Sequence, residues 1–570
     1  MIQCPGCGGA LKFDIASQQM KCDSCSTQYD PYQFDYGNAA EESTDYDVTV
    51  FRCPNCGGEI TSTDETAAGF CSYCGSSNVL ESRISKEKRP QLIIPFKKTK
   101  RQCEEVFKKF MKKAIFAPKA YREAGKADSF RGIYMPYWLY DMSQRGDLNI
   151  PTSTSHRSGD YIITDHYMMR GTLDNYYNGV SYDSSSSFAD DISSDIAPFN
   201  VKEITSFSPS FLAGYYADIA DVPSETYKDT AIELARESTY NYLKKSSPMA
   251  GHSFDKPKEN IKSDFITNIN VTRSAMFPVW FMSYRTRDRV AYATVNGQSG
   301  KVSADIPMSI PKYLLCALLI SAVLFGVFQL AFTIMPDLLL LLVSIVALIS
   351  VLTYGSEMKK IVAKENFDDD LGMQYKDDVV EQKKRARLQA QKGASFGDEN
   401  GGLTETYVLT QNDINRAKRE KARKKKADKK SASLLSIIIV CVVFFIVGGA
   451  VFEGVLSSAI QSGGIIKIGA FMSLIFLVIT IISVINAKKN ISQMASKNGL
   501  PESIGSAISL FVIFIVCIWD PAKDMIYYVT AIIAMLGVAA NIFGIIRSYN
   551  LLATRPLPQF KRYQGGDDRA

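Results

Sequence analysis

The chain has 570 residues, 46% hydrophobic and 22% charged, with a formal net charge of +6. That length allows several domains, and the mean hydropathy of -0.04 averages a polar front half with an apolar back half. Only three histidines occur (His156, His166, His252), which argues against a histidine-based catalytic metal site.

The front of the chain carries an internal repeat. Residues 4–25 read CPGCGGALKFDIASQQMKCDSC and residues 53–74 read CPNCGGEITSTDETAAGFCSYC. Both are C-x2-C-x14-C-x2-C. Each C-x-x-C turn presents two thiolates, and two such turns joined by a hairpin close a tetrahedral Cys4 site. The expected zinc ligands are Cys4, Cys7, Cys22 and Cys25 in ribbon 1 (1–30), and Cys53, Cys56, Cys71 and Cys74 in ribbon 2 (50–80). With all four positions filled by protein, both Zn2+ sites read as structural. A unit of roughly 25–30 residues buries too little core to fold alone. Metal binding worth about 10–16 kcal/mol supplies the difference. The opening MIQCPGCGG lacks a basic segment followed by an apolar one, so no secretory signal is expected and the thiols should stay reduced. The linker at 31–49 is acidic and the ribbons are not strongly basic, which favours protein contact or structural support over nucleic acid.

An α+β domain is expected over 90–309. Thr99 and Gln102 fit a capping box that opens a helix whose apolar stripe is Cys103, Val106, Phe107, Phe110, Met111 and Ala114. Cys103 lies on that stripe and reads as core, not as a nucleophile. Aromatic, β-branched runs then predict strands (GIYMPYWLYD, DYIITDHYMM, MFPVWFMSY). A second helix is predicted at about 224–245, acidic at its start and basic at its end. MPYW and FPVW each follow a long helix, which suggests a duplicated unit. His156 and His166 with Asp160 and Asp165 would bind a metal only with close carboxylate geometry. NGQSGK at 296–301 reads as a hairpin turn, not a phosphate loop. No GxxxxGK[ST], GxSxG or HExxH occurs.

The stretch from the CPxCGG ribbons through residue 310 resembles a known family. The marks are the CPNCGG ribbon, RPQLIIPFKKTK, IYMPYWLYD, DHYMMRGTL, VSYDSSSSFADDISSDIAPF, FLAGYYADIADV and FPVWFMSYRTRDRVAYATVNGQSGKV. It looks like the bacterial membrane-anchored double zinc-ribbon proteins of the YdjG type, also described as TFIIB-type zinc-ribbon proteins. The resemblance implies association with membrane-stress modules and, as partners, phage-shock-protein-A-like or flotillin-like (SPFH) proteins.

The back half predicts an α-helical membrane region of about six spans in three hairpins. The runs are 313–332 and 338–354, then Leu434–Phe452 and Ile465–Ile485, then Ile504–Trp519 and Met525–Ile546. The hairpins thus occupy 313–354, 434–485 and 504–546. The turns inside them hold one lysine, Lys523, and Lys467 sits at a span end, while the segments outside hold the rest. The positive-inside rule therefore puts the head, the charged loop 355–433 and the basic tail 547–570 in the cytoplasm. Within that loop Arg416, Lys418, Arg419, Lys421, Arg423, Lys424, Lys425, Lys426, Lys429 and Lys430 form a basic patch suited to anionic lipid, an acidic partner or topology alone. Ala450 and Gly454 offer a small-xxx-small contact. The spans lack ionisable residues at depth, which favours an anchor over a transporter. The sequence thus reads as a non-enzymatic membrane scaffold of a bacterial cell, with a tethered nucleic-acid binder and a small-solute transporter as alternatives.

Overall fold

The computed structural model describes residues 2–34, 45–317, 319, 323, 336–379, 464–492 and 501–556, apart from 55, 57, 63–70, 72, 75–80, 125–129, 287–288, 366–369, 373, 376–378 and 502. The chain divides into two compact units. One comprises Met1–Ile320, Lys360–Arg385 and Ile546–Ala570, and the other Ser321–Lys359 and Ala386–Ile545.

The first unit opens with a three-stranded antiparallel sheet, β1 (Leu11–Asp14), β2 (Gln19–Cys22) and β3 (Gln28–Tyr29). Leu11, Phe13 and Met20 alternate inward, the pattern of a half-buried strand. A larger sheet of 13 strands follows. Its first members are β4 (Asp45–Arg52), β5 (Glu59–Ser62), β6 (Glu81–Lys88) and β7 (Leu92–Ile93). Next come β8 (Arg131–Ser158), β9 (Tyr161–Asp183), β10 (Thr205–Ser206), β11 (Tyr216–Ala217) and β12 (Ser253–Phe254). The last are β13 (Thr267–Thr286), β14 (Arg289–Asn296), β15 (Val302–Ala304) and β16 (Arg555–Pro556).

The spine of this sheet is the antiparallel pair β8–β13. It brings MPYW and FPVW together at their first residues, with Met135 opposite Phe277 and Pro136 opposite Met276. Both faces of the pair are covered. Tyr134, Trp280 and Met282 lie in the same core as Cys103, Phe107 and Met111 of α1 (Lys100–Lys113). On the other side Ile133, Met135, Tyr137, Phe277 and Val279 pack with Ile192 and Ile196 of α3 (Asp190–Ile196); α2 (Lys119–Ala124) lies between the two helices in sequence. Two-sided burial explains why these strands read as continuous apolar runs without alternation.

The Thr99–Gln102 capping box forms as expected: Gln102 N donates to Thr99 Oγ1 at 3.3 Å and Thr99 N to Gln102 Oε1 at 3.0 Å. Burial pushes the Cys103 thiol up, in keeping with a core residue. The second predicted helix begins as a 3-10 turn and becomes α4 at Lys228–Lys245; α5 (Lys258–Ser263) follows. NGQSGK is the β14–β15 turn, closed by Asn296 N to Lys301 O at 2.8 Å.

The serine run after β9 is a buried lock. Ser185 Oγ donates to Asp218, and Ser186 donates through N and Oγ to the two oxygens of Asp221, each at 2.7 Å. Burial lifts the Asp218 carboxyl to about 7, against about 3.9 in an unfolded chain. The folded head holds a proton that the unfolded chain has released, so this group's contribution to stability falls as pH rises from about 4 to about 7. In Asp218→Asn the thermal midpoint should change less between about pH 5 and about pH 8 than in the parent. An unchanged pH dependence would contradict the assignment.

Four apolar helices are described: α6 (Pro336–Glu365), α7 (Gly464–Ser492), α8 (Ile504–Trp519) and α9 (Asp524–Leu552). Within three of them Leu339–Ala363, Met472–Lys489 and Asp524–Leu551 are long and apolar enough to cross a membrane, while α8 is shorter. The run Leu434–Phe452, residues 416–430 with their basic patch, and Ala450 and Gly454 lie outside the described residues, as do most of 318–335 and 366–433. In the second unit Leu340, Val343, Ala347, Leu510, Ile513, Tyr527 and Ala531 share one core. α8 and α9 touch at glycine. A Cβ on Gly537 would lie 2.2 Å from Ser509 Oγ and 2.9 Å from Gly505 O, the close approach that small residues permit between membrane helices. Gly537→Val should lower the thermal midpoint of the detergent-solubilised chain. Gly355→Ala, which meets nothing within 4 Å in the interior of α6, should not lower it.

The first unit also takes in the exit of α9. β16 pairs with β14, Arg289 opposite Pro556. The Arg289 guanidinium donates to Leu551 O at 2.8 Å, Thr554 O at 2.7 Å and Thr554 Oγ1 at 2.8 Å. A cation on the last carbonyls of a helix suits its dipole. Asn550 adds a two-way clasp on the Met308 backbone, at 2.6 and 3.0 Å.

Candidate metal centres

The fold brings the eight repeat cysteines into two groups of four. In the first, Cys4 N donates to Gly9 O at 2.7 Å and Gly8 N to Cys4 O at 2.8 Å, which folds C-x-x-C-G into a tight knuckle. The return segment repeats it, Ser26 N donating to Cys22 O at 2.9 Å. The residue after the second cysteine is left-handed in both knuckles, Gly8 at φ 74° and Ser26 at φ 60°. Glycine takes that conformation without strain. In the second group Cys53 N bonds Gly58 O at 2.9 Å and Gly58 N reaches Cys56 Sγ at 3.4 Å.

The sulfurs are spaced for a shared ion. Cys4–Cys25 is 3.6 Å, Cys7–Cys22 3.5 Å, and Cys53–Cys74 and Cys56–Cys71 are each 3.7 Å. A disulfide would need about 2.05 Å. A tetrahedron with metal–sulfur bonds of about 2.3 Å has edges of about 3.8 Å, close to what is seen. All four ligand atoms of each group lie within 4.8 Å of one another. The Thr27 hydroxyl beside Cys25 lowers its thiol to about 6, and Cys56 beside Cys53 lowers that thiol to about 6. The Cys53 sulfur in turn raises Cys56 and Cys71 well above an ordinary thiol. Four crowded sulfurs, all buried in the second group, call for a cation between them.

The two groups are seated differently. The first sits on its own small sheet, which packs against the head through Phe13 and Phe211, rings 5.1 Å apart. Strands of the second belong to the 13-stranded sheet, since β5 pairs with β11 and β11 with β8. Tyr292 OH donates to Tyr73 O at 2.9 Å, and Thr61 Oγ1 to Ala217 O at 3.0 Å.

The histidine candidate does not assemble. His156 and His166 fall on opposite faces of the β8–β9 ribbon, since His166 pairs with Ser153, three residues from His156. His156 Nδ1 is 3.9 Å from Asp165, and His166 Nδ1 is 2.9 Å from Asp255, a partner 89 residues away that no local pattern marks. Among the described residues only the two cysteine groups gather three or more metal-type ligands.

Cys7→Ser and Cys53→Ser should each cut bound metal from two ions per chain to one, read by elemental analysis. Cys53→Ser should lower the melting point of the head further, because its site lies within the main sheet. Equal melting losses would contradict the difference in seating.

No family model matches the chain, and no solved structure matches it. It is similar to a protein of Bacillus subtilis (strain 168) named only as uncharacterised protein YdjG, 29% identical over 312 residues, which is 54% of this chain and 90% of that protein.

Proposed function

We propose that the chain is a non-enzymatic, multi-pass membrane scaffold. In this reading both cysteine groups hold Zn2+, and the head they stabilise faces the cytoplasm and gathers protein partners at the inner leaflet. One observation carries it: Arg289 and Asn550 bind the head to the exit of α9, and β16 extends the head's sheet. A head tied to both ends of an apolar region supports an even number of crossings between them. Six, in three hairpins, uses every apolar run. Only Lys523 in the turns and Lys467 at a span end lie within the hairpins, and the other Lys and Arg lie outside them, which supports cytoplasmic termini. Zinc is favoured over iron as the common tenant of four thiolates closed to solvent chemistry. The YdjG-type resemblance supports phage-shock-protein-A-like or SPFH proteins as partners, in a membrane-stress response.

Affinity capture of the full chain from detergent extracts tests the reading. Recovery of such a partner, reduced by Cys53→Ser, is expected. Nuclease-sensitive, salt-labile retention of nucleic acid without a protein partner would overturn it and favour a membrane-tethered nucleic-acid binder.

A further inference from the structure

The β8–β9 hairpin outruns everything packed against it. β13 leaves β8 at Gln144, and β12 covers the same edge only at Thr152 and Ser153. From Ser155 round the Gly159 turn to Met168 every residue is exposed. Tyr161 and Ile162 expose 78% and 76% of their surface, with Ile163, Tyr167 and Met168 also open. Among the described residues β9 pairs with β8 alone, so its other edge is open here. A two-stranded ribbon bare on both faces is marginal in water. β9 also contains no lysine and no proline, the residues that guard such edges against pairing.

Side chains alternate between faces, so Tyr161 and Ile163 lie on one and Ile162 on the other. A hydrocarbon surface would cover them but leave the edge N–H and C=O groups unsatisfied. An added strand satisfies those groups and covers both faces. The sequence specifies which strand. Tyr161-Ile162-Ile163, Thr164, Asp165, His166, Tyr167-Met168-Met169 is a palindrome of apolar and polar positions about Asp165. In antiparallel pairing with a two-fold axis at Asp165, Ile163 meets Tyr167, Ile162 meets Met168 and Tyr161 meets Met169. Moving the axis to His166 sets Ile162 against Arg170 and Asp165 against Tyr167.

We propose that β9 pairs edge to edge with β9 of a second copy of this chain, centred on Asp165, joining two sheets across a two-fold axis. Two Asp165 carboxylates then meet at the axis, a like-charge contact that weakens the pair.

The test uses the full chain in detergent, with metal content confirming that each variant is folded. Light scattering should show a concentration-dependent dimer. Ile162→Lys should weaken it by at least about tenfold, and Asp165→Asn should strengthen it. The register is read by cross-linking with a short bis-maleimide after Cys103, Cys316, Cys441 and Cys517 are replaced by serine. Asp165→Cys should cross-link to its own copy. Arg170→Cys should not, because the two-fold sets its copies about 34 Å apart. A chain monomeric throughout, a dimer indifferent to Ile162→Lys, or equal cross-linking at both positions would overturn the proposal.

Discussion

The head depends on one constraint: β8 and β13 are buried on both faces at once. Large side chains such as Tyr134, Met135, Tyr137, Phe277 and Trp280 fill the space above and below the pair, each worth about 1.5–3 kcal/mol when fully withdrawn from water. The other strands of the large sheet hang from its edges. One edge of β8 carries β11 and through it the second metal centre, then β9 and its projecting ribbon. The far side of β13 carries β14, and β14 carries β15 and the strand that follows α9. The two tryptophans show the same economy. Trp138 donates its indole N–H to Val222 O and Trp280 to Lys98 O, each at 2.8 Å, so both indole N–H groups of the spine are satisfied.

The cysteine repeat shows one spacing used in two ways. The first ribbon keeps a sheet of its own and leaves Cys7 and Cys25 exposed; the second gives its strands to the head and buries all four ligands. The difference lies in what flanks the knuckles. Ile60 and Phe51 are buried with the cysteines of the second group beside Tyr216 of β11, whereas Leu11, Phe13 and Met20 face the Phe211 side of the head. An ion held by the second group would therefore brace the main sheet, and one held by the first would brace a unit resting on it.

Much of this was legible in the sequence because it rests on local chemistry. The C-x2-C-x14-C-x2-C spacing named the two cysteine groups, Thr99 and Gln102 named a helix start, and Asn296–Lys301 named a turn. What escaped rests on long-range pairing. The serine run resembles a linker, yet Ser185 and Ser186 are buried against Asp218 and Asp221, which lie more than 30 residues on. Nothing local distinguishes Arg289 from other surface arginines, and β16 is only two residues long. The helices also outlast their apolar runs: α6 continues to Glu365 and α9 to Leu552, because a helix propagates through polar residues once it is formed.

The proposed topology puts the head and the exit of α9 on one side of the membrane. Single cysteines placed at Lys523 and at Gly565 in intact cells, probed with a membrane-impermeant maleimide, test it most directly. Labelling at position 523 and protection at 565 until the cells are opened are expected. Labelling at 565 from outside would contradict it.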